Sequence, residues 1–240
     1  MILWLSLALV WVYMTAWYLF SLYKKRNDIA DTAWGVGFVV LSLFCFILNP
    51  TIKQLVTFAL IFVWGSRLSW HIYRRNKNKP EDYRYQKFKK NSYLTVFMTQ
   101  GFLLWLISFS YIFSDFNFFW FNYLGILVWV AGFSFEAIAD FQLKKFLKNP
   151  KNKGEILQSG LWAYSRHPNY FGESLLWWGI WLFNLFLTQN WWTIIGPLTI
   201  TYLITKVSGV PLLENKMSQD PKFQDYQRRV SVFIPWFPKK

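Results

Sequence analysis

DTAWGVGFVVLSLFCFILNPTIKQLVTFALIFVWGSRLSWHIYRR, residues 31–75, holds two apolar runs joined by Asn49-Pro50 and closed by a basic group. A helix of about 20 mostly apolar residues crosses the hydrocarbon core of a bilayer. The runs 32–49 and 53–71 are close to that length, and Asn-Pro marks a turn. The stretch therefore reads as a membrane hairpin. Outward from it, similar runs cover 2–23, 94–114, 118–140, 170–188 and 190–210. The connectors at 114–117 and 188–190 are as short as the one at 49–50, which makes two further antiparallel hairpins.

Composition supports this reading. Of 240 residues, 54% are hydrophobic and 22% aromatic, with 16 Trp and 25 Phe. A soluble domain of this size has too much water-facing surface to hide so much apolar area. The net charge of +14 would suit nucleic acid, but the basic residues lie between apolar runs and no soluble domain is left to bind it. One cysteine, Cys45, excludes an internal disulfide, and two histidines beside it leave no zinc-type cluster. No basic segment precedes the first run; Lys24, Lys25 and Arg26 follow it, so it reads as a retained helix rather than a signal peptide.

Cytoplasmic connectors carry the excess of Lys and Arg. One set holds Lys24 to Arg26, then 74–90, 144–166 and the tail from 216; the opposite set holds Lys53 alone. The two sets alternate with about seven crossings, which places the N-terminus outside and the C-terminus in the cytoplasm. The expected fold is all-α: a polytopic integral membrane protein, one transmembrane helical domain over 1–240 with a cytoplasmic or interfacial segment from about 212. That tail contains LENKMSQDPKFQDYQRRVSVFIP, helical and amphipathic at first, with a break at Asp220-Pro221. Retained first helix and absent disulfides fit a bacterial cytoplasmic membrane.

Ionisable groups in or at the ends of spanning helices are costly, so each is a functional candidate. Arg67, His71 and Arg74 recur at i, i+4 and i+7. They form either a phosphate-gripping face or a set of snorkelling anchors. Glu136 and Asp140 make an acidic pair that could meet a ribose hydroxyl, or could pair with Lys144 one turn on. Asp28 and Asp31 flank the start of the second helix, where one of them can serve as an N-cap. Trp34, Gly35 and Gly37 follow Asp31, and the two glycines are small positions that allow close approach.

GLWAYSRHPNYFGESLLWWG, residues 160–179, is the densest polar region, with Arg166, His167, Asn169, Tyr170 and Glu173 at the start of the sixth helix. Pro168 suits the first turn, and that end of a helix favours an anion. An interfacial belt of Tyr and Trp with one Arg is the plainer alternative.

These residues, with DTAWGVGF, WGSRLSWHIYRRNKNKPEDYRYQ, EAIADFQLKKF, SGVPLLENKM and DYQRRVSVFIP, resemble the steroid 5-alpha-reductase superfamily, especially its bacterial branch of unknown function. The resemblance covers nearly the whole chain. It implies a cytoplasm-facing NADPH cavity lined by Arg166, His167, Asn169, Tyr170 and Glu173, with Trp162 and Asp140 also matching. Glu214, Tyr226 and Arg229 fall at positions that close over the cofactor. No G-x-G-x-x-G follows a strand, so a Rossmann site is excluded. The reductases' Gln-Glu pair is missing; that place reads DTAWG, and no tyrosine is assigned to the substrate oxygen.

The expectation is an NADPH-dependent reductase of a lipophilic small molecule held among membrane lipids. Arg67, Lys144 and Arg166 are the cations for the 2′-phosphate, and Asp31 and His71 the groups that polarise or protonate substrate. A looser version of the core occurs in isoprenylcysteine carboxyl methyltransferases, which makes an S-adenosylmethionine-dependent enzyme the alternative. A non-catalytic lipid-binding protein is the second alternative.

Overall fold

The computed structural model describes residues 1–186 and 188–239, without the side chains of Gln86, Lys87 and Lys89. Position 187, within the expected run 170–188, lies outside the described residues. All regular structure among the described residues is helical. The helices are α1 (Ile2–Lys24), α2 (Ile29–Leu48), α3 (Ile52–Asn76), α4 (Thr99–Ile107), α5 (Phe109–Ile112), α6 (Trp120–Lys148), α7 (Pro168–Asn184), α8 (Ile195–Tyr202), α9 (Val210–Met217) and α10 (Pro221–Arg229). Among the described residues five segments are long and apolar enough to cross a membrane: α1, α2, α3, α6 and the run Trp191–Met217 that contains α8 and α9. Tyr93–Ile107 is apolar but shorter, and α7 has 17 residues. The chain is thus an all-helical membrane protein that divides into two compact units, Met1–Phe119 with Asn184–Gly196, and Trp120–Phe183 with Pro197–Lys240.

In the first unit α2 and α3 form the hairpin expected around Asn49-Pro50. Thr51 caps α3 by accepting a hydrogen bond from Gln54 N at 3.1 Å. The two helices meet at glycine: a Cβ on Gly35 would stand 2.6 Å from Gly65 O, and one on Gly65 2.6 Å from Gly35 O. Ser69 Oγ donates to Thr32 O at 2.9 Å on the same contact. Buried Met14, Phe38, Leu41, Trp64, Phe97 and Leu104 fill the core around it.

Two expectations are corrected here. Asp28 sits at the N-cap of α2 but makes no capping bond. Its carboxylate accepts from Arg26 Nε at 2.9 Å and Nη2 at 2.7 Å, and from Asp82 N at 3.2 Å. The Arg26 fork and the Asp82 backbone N–H turn the carboxylate away from the first turn of its own helix. Lys53, read as a loop charge, is fully buried. Its ammonium donates to Asp115 Oδ1 at 3.0 Å and Asn117 O at 2.8 Å. A lysine leaves water only when a counter-charge and hydrogen bonds replace it, and the 114–117 connector supplies both.

In the second unit α6 and α7 pack backbone on backbone. Gly125 and Gly132 on α6 face Gly179 and Gly172 on α7; added Cβ atoms at these four positions would lie 2.4–2.5 Å from backbone nitrogens of the opposite helix. The gap between the helices holds no side-chain layer. On the other side of α7, Ser174 and Thr201 share a hydroxyl hydrogen bond at 2.6 Å. The tail breaks where expected: Asp220 caps α10 by accepting from Lys222 N at 2.9 Å, with Pro221 in the first turn.

The glycine seam predicts that Gly132→Ala and Gly172→Ala each destabilise the protein despite their better helix propensity. Overpacking costs about 1–3 kcal/mol, against roughly 1 kcal/mol gained from replacing a helical glycine. Thermal unfolding in detergent, followed by circular dichroism, should show a lower midpoint for both. Ala131→Leu, on the exposed face of α6, should leave the midpoint unchanged.

Candidate functional site

The turn before α7 is held from two sides. Gly160 adopts φ +64°, and a Cβ there would strike the Gln142 amide at 2.4–2.7 Å. Gln142 Oε1 accepts from Leu161 N at 3.0 Å, and Trp162 Nε1 donates to Ala139 O at 3.2 Å. These bonds fix the turn against α6. From the other side, the buried Tyr226 hydroxyl donates to Trp162 O, Ser165 Oγ donates to Phe233 O at 2.8 Å, and Arg166 N donates to Ser231 O at 2.8 Å. Burial holds the Tyr226 phenol above its usual range, so it remains a donor. Tyr226, which the sequence places among the residues that close over a ligand, clamps the backbone of this turn.

Arg166 is the centre of this assembly. Nε and Nη2 form a fork on Glu214 at 3.0 and 2.9 Å, and Nη1 donates to Gln227 O at 3.1 Å and to Val230 O. Both side chains are largely buried, at 10% and 15% exposure. His167 Nε2 lies 2.8 Å from Glu214 Oε1, and Gln227 Nε2 donates to Glu214 Oε2 at 2.7 Å. The sequence reading gave Arg166 to a phosphate. The structure commits each of its guanidinium nitrogens to the protein. Gln227 and Ser165 are members of the cluster that the sequence reading missed, because they reach partners 13 and 68 positions away.

Asp140 and Asn169 form the second polar contact, with Asn169 Nδ2 donating to Asp140 Oδ1 at 3.2 Å. Lys144, one turn beyond Asp140, is exposed. The His167 and Tyr170 rings lie nearly parallel, 5.7 Å apart, and the Tyr170 ring packs where a Cβ on Gly209 would meet it at 3.2 Å. Glu173 is half-buried on α7. Arg229 points away from the cluster, donating to Asp225 and to Gln158 Oε1 at 3.0 Å on the exposed side of α10.

The remaining candidates lie in the first unit. Arg67 and His71 are half-buried on α3, while Arg74 is exposed and lies 5.6 Å over the Trp70 ring, as an anchor would. Asp31 is met by two residues the sequence reading did not select. The Tyr85 hydroxyl donates to Asp31 Oδ1, and Arg84 Nη2 donates to Oδ2 at 2.9 Å. Arg84 is fixed in turn by Asp82, its Nε donating to Oδ2 at 3.1 Å. Burial and the adjacent carboxylate hold the Tyr85 phenol well above its usual range. The phenol therefore stays protonated and spends its one O–H on Asp31, so that Asp31, Tyr85, Arg84 and Asp82 form one connected polar cluster.

The chain belongs to DUF1295, a protein family of unknown function, which it matches over residues 17–230. That family includes steroid 5-alpha-reductase-like proteins. An uncharacterized protein of Schizosaccharomyces pombe is 25% identical over 90% of this chain and 74% of its own length. A probable O-methyltransferase of Ustilaginoidea virens is 39% identical over 46 residues, which are 19% of this chain and 16% of that protein. No solved structure matches the chain.

If Glu214 is the counter-charge on which the cluster rests, Glu214→Ala leaves Arg166 buried without it. Breaking such a pair costs about 3 kcal/mol, and Gln227→Ala, which removes one bond to a charged group, about 1.5 kcal/mol. Denaturant unfolding in detergent should rank them in that order. Equal midpoints for Glu214→Ala and the parent would mean that the pair bears no stability.

Proposed function

We propose that this chain is an NADPH-dependent membrane reductase acting on a lipophilic substrate, a conjugated enone of the steroid, sterol or isoprenoid kind. The observation that carries the reading is the polar assembly at the start of α7. Asp140, Asn169, Arg166, His167 and Glu214 come from three separate segments of a largely apolar chain. Burying charge and amide groups together is costly, and a ligand with both donors and acceptors gives that cost a purpose.

The donor set fits a dinucleotide in most respects. Asn169 can donate and accept, and Asp140 can accept from a ribose hydroxyl. The N-terminus of α7 favours an anion such as a pyrophosphate. The Arg166 fork on Glu214 holds the turn rigid beneath these groups rather than reaching for phosphate. Lys144, exposed one turn beyond Asp140, is the cation of this unit proposed for the 2′-phosphate. The bound cofactor would supply the hydride. Asp31 and His71, in the first unit, remain the groups proposed to polarise or protonate substrate, with Tyr85 and Arg84 orienting the Asp31 carboxylate.

The short likeness to a probable O-methyltransferase favours a second reading, an S-adenosylmethionine-dependent enzyme of the isoprenylcysteine carboxyl methyltransferase type. Calorimetry on the detergent-purified chain separates the two. NADPH is expected to bind, and Asn169→Ala and Glu173→Gln are each expected to weaken it about ten-fold, the loss of one charge-assisted bond. Binding of S-adenosylmethionine alone would replace the first reading by the second. Binding of neither would leave a lipid-binding protein in which the cluster only locks the tail.

For topology, we infer seven crossings, adding Tyr93–Ile107 and α7 to the five long segments, in a bacterial cytoplasmic membrane with the N-terminus outside. The basic segments alternate with the connectors in this arrangement, and the single lysine on the outer side, Lys53, is buried in its own ion pair. A reporter fused after Lys240 should be active only as a cytoplasmic protein. External activity of that fusion would overturn the count.

A further inference from the structure

The lipid-facing side of α6 changes character along its length. Leu127, Ala131, Ile138 and Phe141 are exposed, and from Phe141 the stripe continues four and then three residues on as exposed Lys145 and Lys148. Lys144, Lys151 and Lys153 are exposed beside them. Among the described residues none of these five lysines has an ion-pair partner. The carboxylates close in sequence are engaged: Asp140 accepts from Asn169, and Glu155 pairs with Lys222 at 2.6 Å.

Length places this change of character in the bilayer. α6 has 29 residues, about 43 Å at 1.5 Å per residue, against a hydrocarbon core of roughly 30 Å. The helix is thus longer than the core is thick, and its lysine-bearing end is the one that charge keeps out of hydrocarbon. A second observation fixes the same level. Tyr164, Trp236 and Phe237 are exposed, and Trp236 N donates to Tyr164 O at 2.9 Å. Tyr164 belongs to the turn that Ala139 and Gln142 hold against α6. Exposed Trp and Tyr favour the interface between hydrocarbon and headgroups, so the aromatic side chains and the first lysines share one depth.

We propose that the C-terminal end of α6 and the loop to Lys153 form a binding surface for anionic phospholipid headgroups. Phe141 and Leu147 would lie against the acyl chains while Lys145, Lys148, Lys151 and Lys153 meet the phosphates. The surface is independent of which cofactor the chain takes, and Lys144 is left out of the test because it is also a candidate cation for that cofactor.

The test uses the full chain in mild detergent, titrated with phosphatidylglycerol or phosphatidylcholine and followed by native mass spectrometry. Each basic residue near an anionic surface is worth roughly five-fold in affinity. The parent should therefore prefer phosphatidylglycerol by at least about ten-fold, a preference that falls as salt shortens the screening length. Replacing Lys145, Lys148, Lys151 and Lys153 together by Gln should abolish the preference, and replacing the same four by Arg should keep it. Lys24→Gln with Lys25→Gln, exposed lysines of the other unit, should also keep it. Thermal unfolding checks that each variant is folded, and the salt series and the Arg variant decide the matter if the Gln variant is not. Equal binding of the two lipids by the parent would overturn the proposal, as would an unchanged preference in the folded Gln variant. Displacement of the lipid by inorganic phosphate at equal concentration would also overturn it, by showing a soluble-anion site instead.

Discussion

A buried charge in a membrane protein has no nearby water to return to, so its partner must be built into the chain. In hydrocarbon each unsatisfied polar group costs several kcal/mol. Both compact units are organised by that constraint. In one, Lys53 is enclosed with Asp115 and Asn117 O, which draws the 114–117 connector onto the start of α3. In the other, Arg166 draws α9 and the last turns of α10 onto the turn before α7. Helices of this apolarity slide past one another at little cost in lipid. The ion pairs set which ends of them meet.

The same constraint sorts frame from ligand-reading groups within the candidate site. Arg166, Glu214, Gln227, Tyr226 and Trp162 spend their hydrogen bonds on one another and on backbone carbonyls. They are the supporting shell that holds a site to its working geometry. Asp140, Asn169, Tyr170 and Glu173 stand on the two helices that this shell fixes. The Asp31 group in the first unit is built similarly, with Asp82 orienting Arg84 and Arg84 orienting the carboxylate that Tyr85 addresses.

What the sequence made legible were features decided within a few residues. Apolar length marked the spans, Asn49-Pro50 the hairpin, Pro168 the start of α7 and Asp220-Pro221 the break in the tail. The cluster at 160–173 stood out by density alone. Partnerships across long separations could not be read. Tyr85 meets Asp31 across 54 positions and Arg166 meets Glu214 across 48, and nothing local to either residue announces the other. Lys53 was misread for the same reason, since an isolated lysine at a helix start looks exposed until Asp115 is folded against it. The glycines at 125, 132, 172 and 179 were in plain view with a seven-residue spacing. Only the structure pairs them.

That seam has a consequence for inheritance. An interface made of side chains can drift, because a larger residue on one face is offset by a smaller one opposite. Where backbone touches backbone there is little volume to exchange, and each of the four positions favours glycine. The contact ends one turn short of Asp140 and Asn169, since a Cβ on Gly172 would strike Glu136 N at 2.4 Å. The separation of that polar pair is therefore held constant by positions that cannot be varied in compensation. The rest of the chain can change while the spacing between these two residues stays the same.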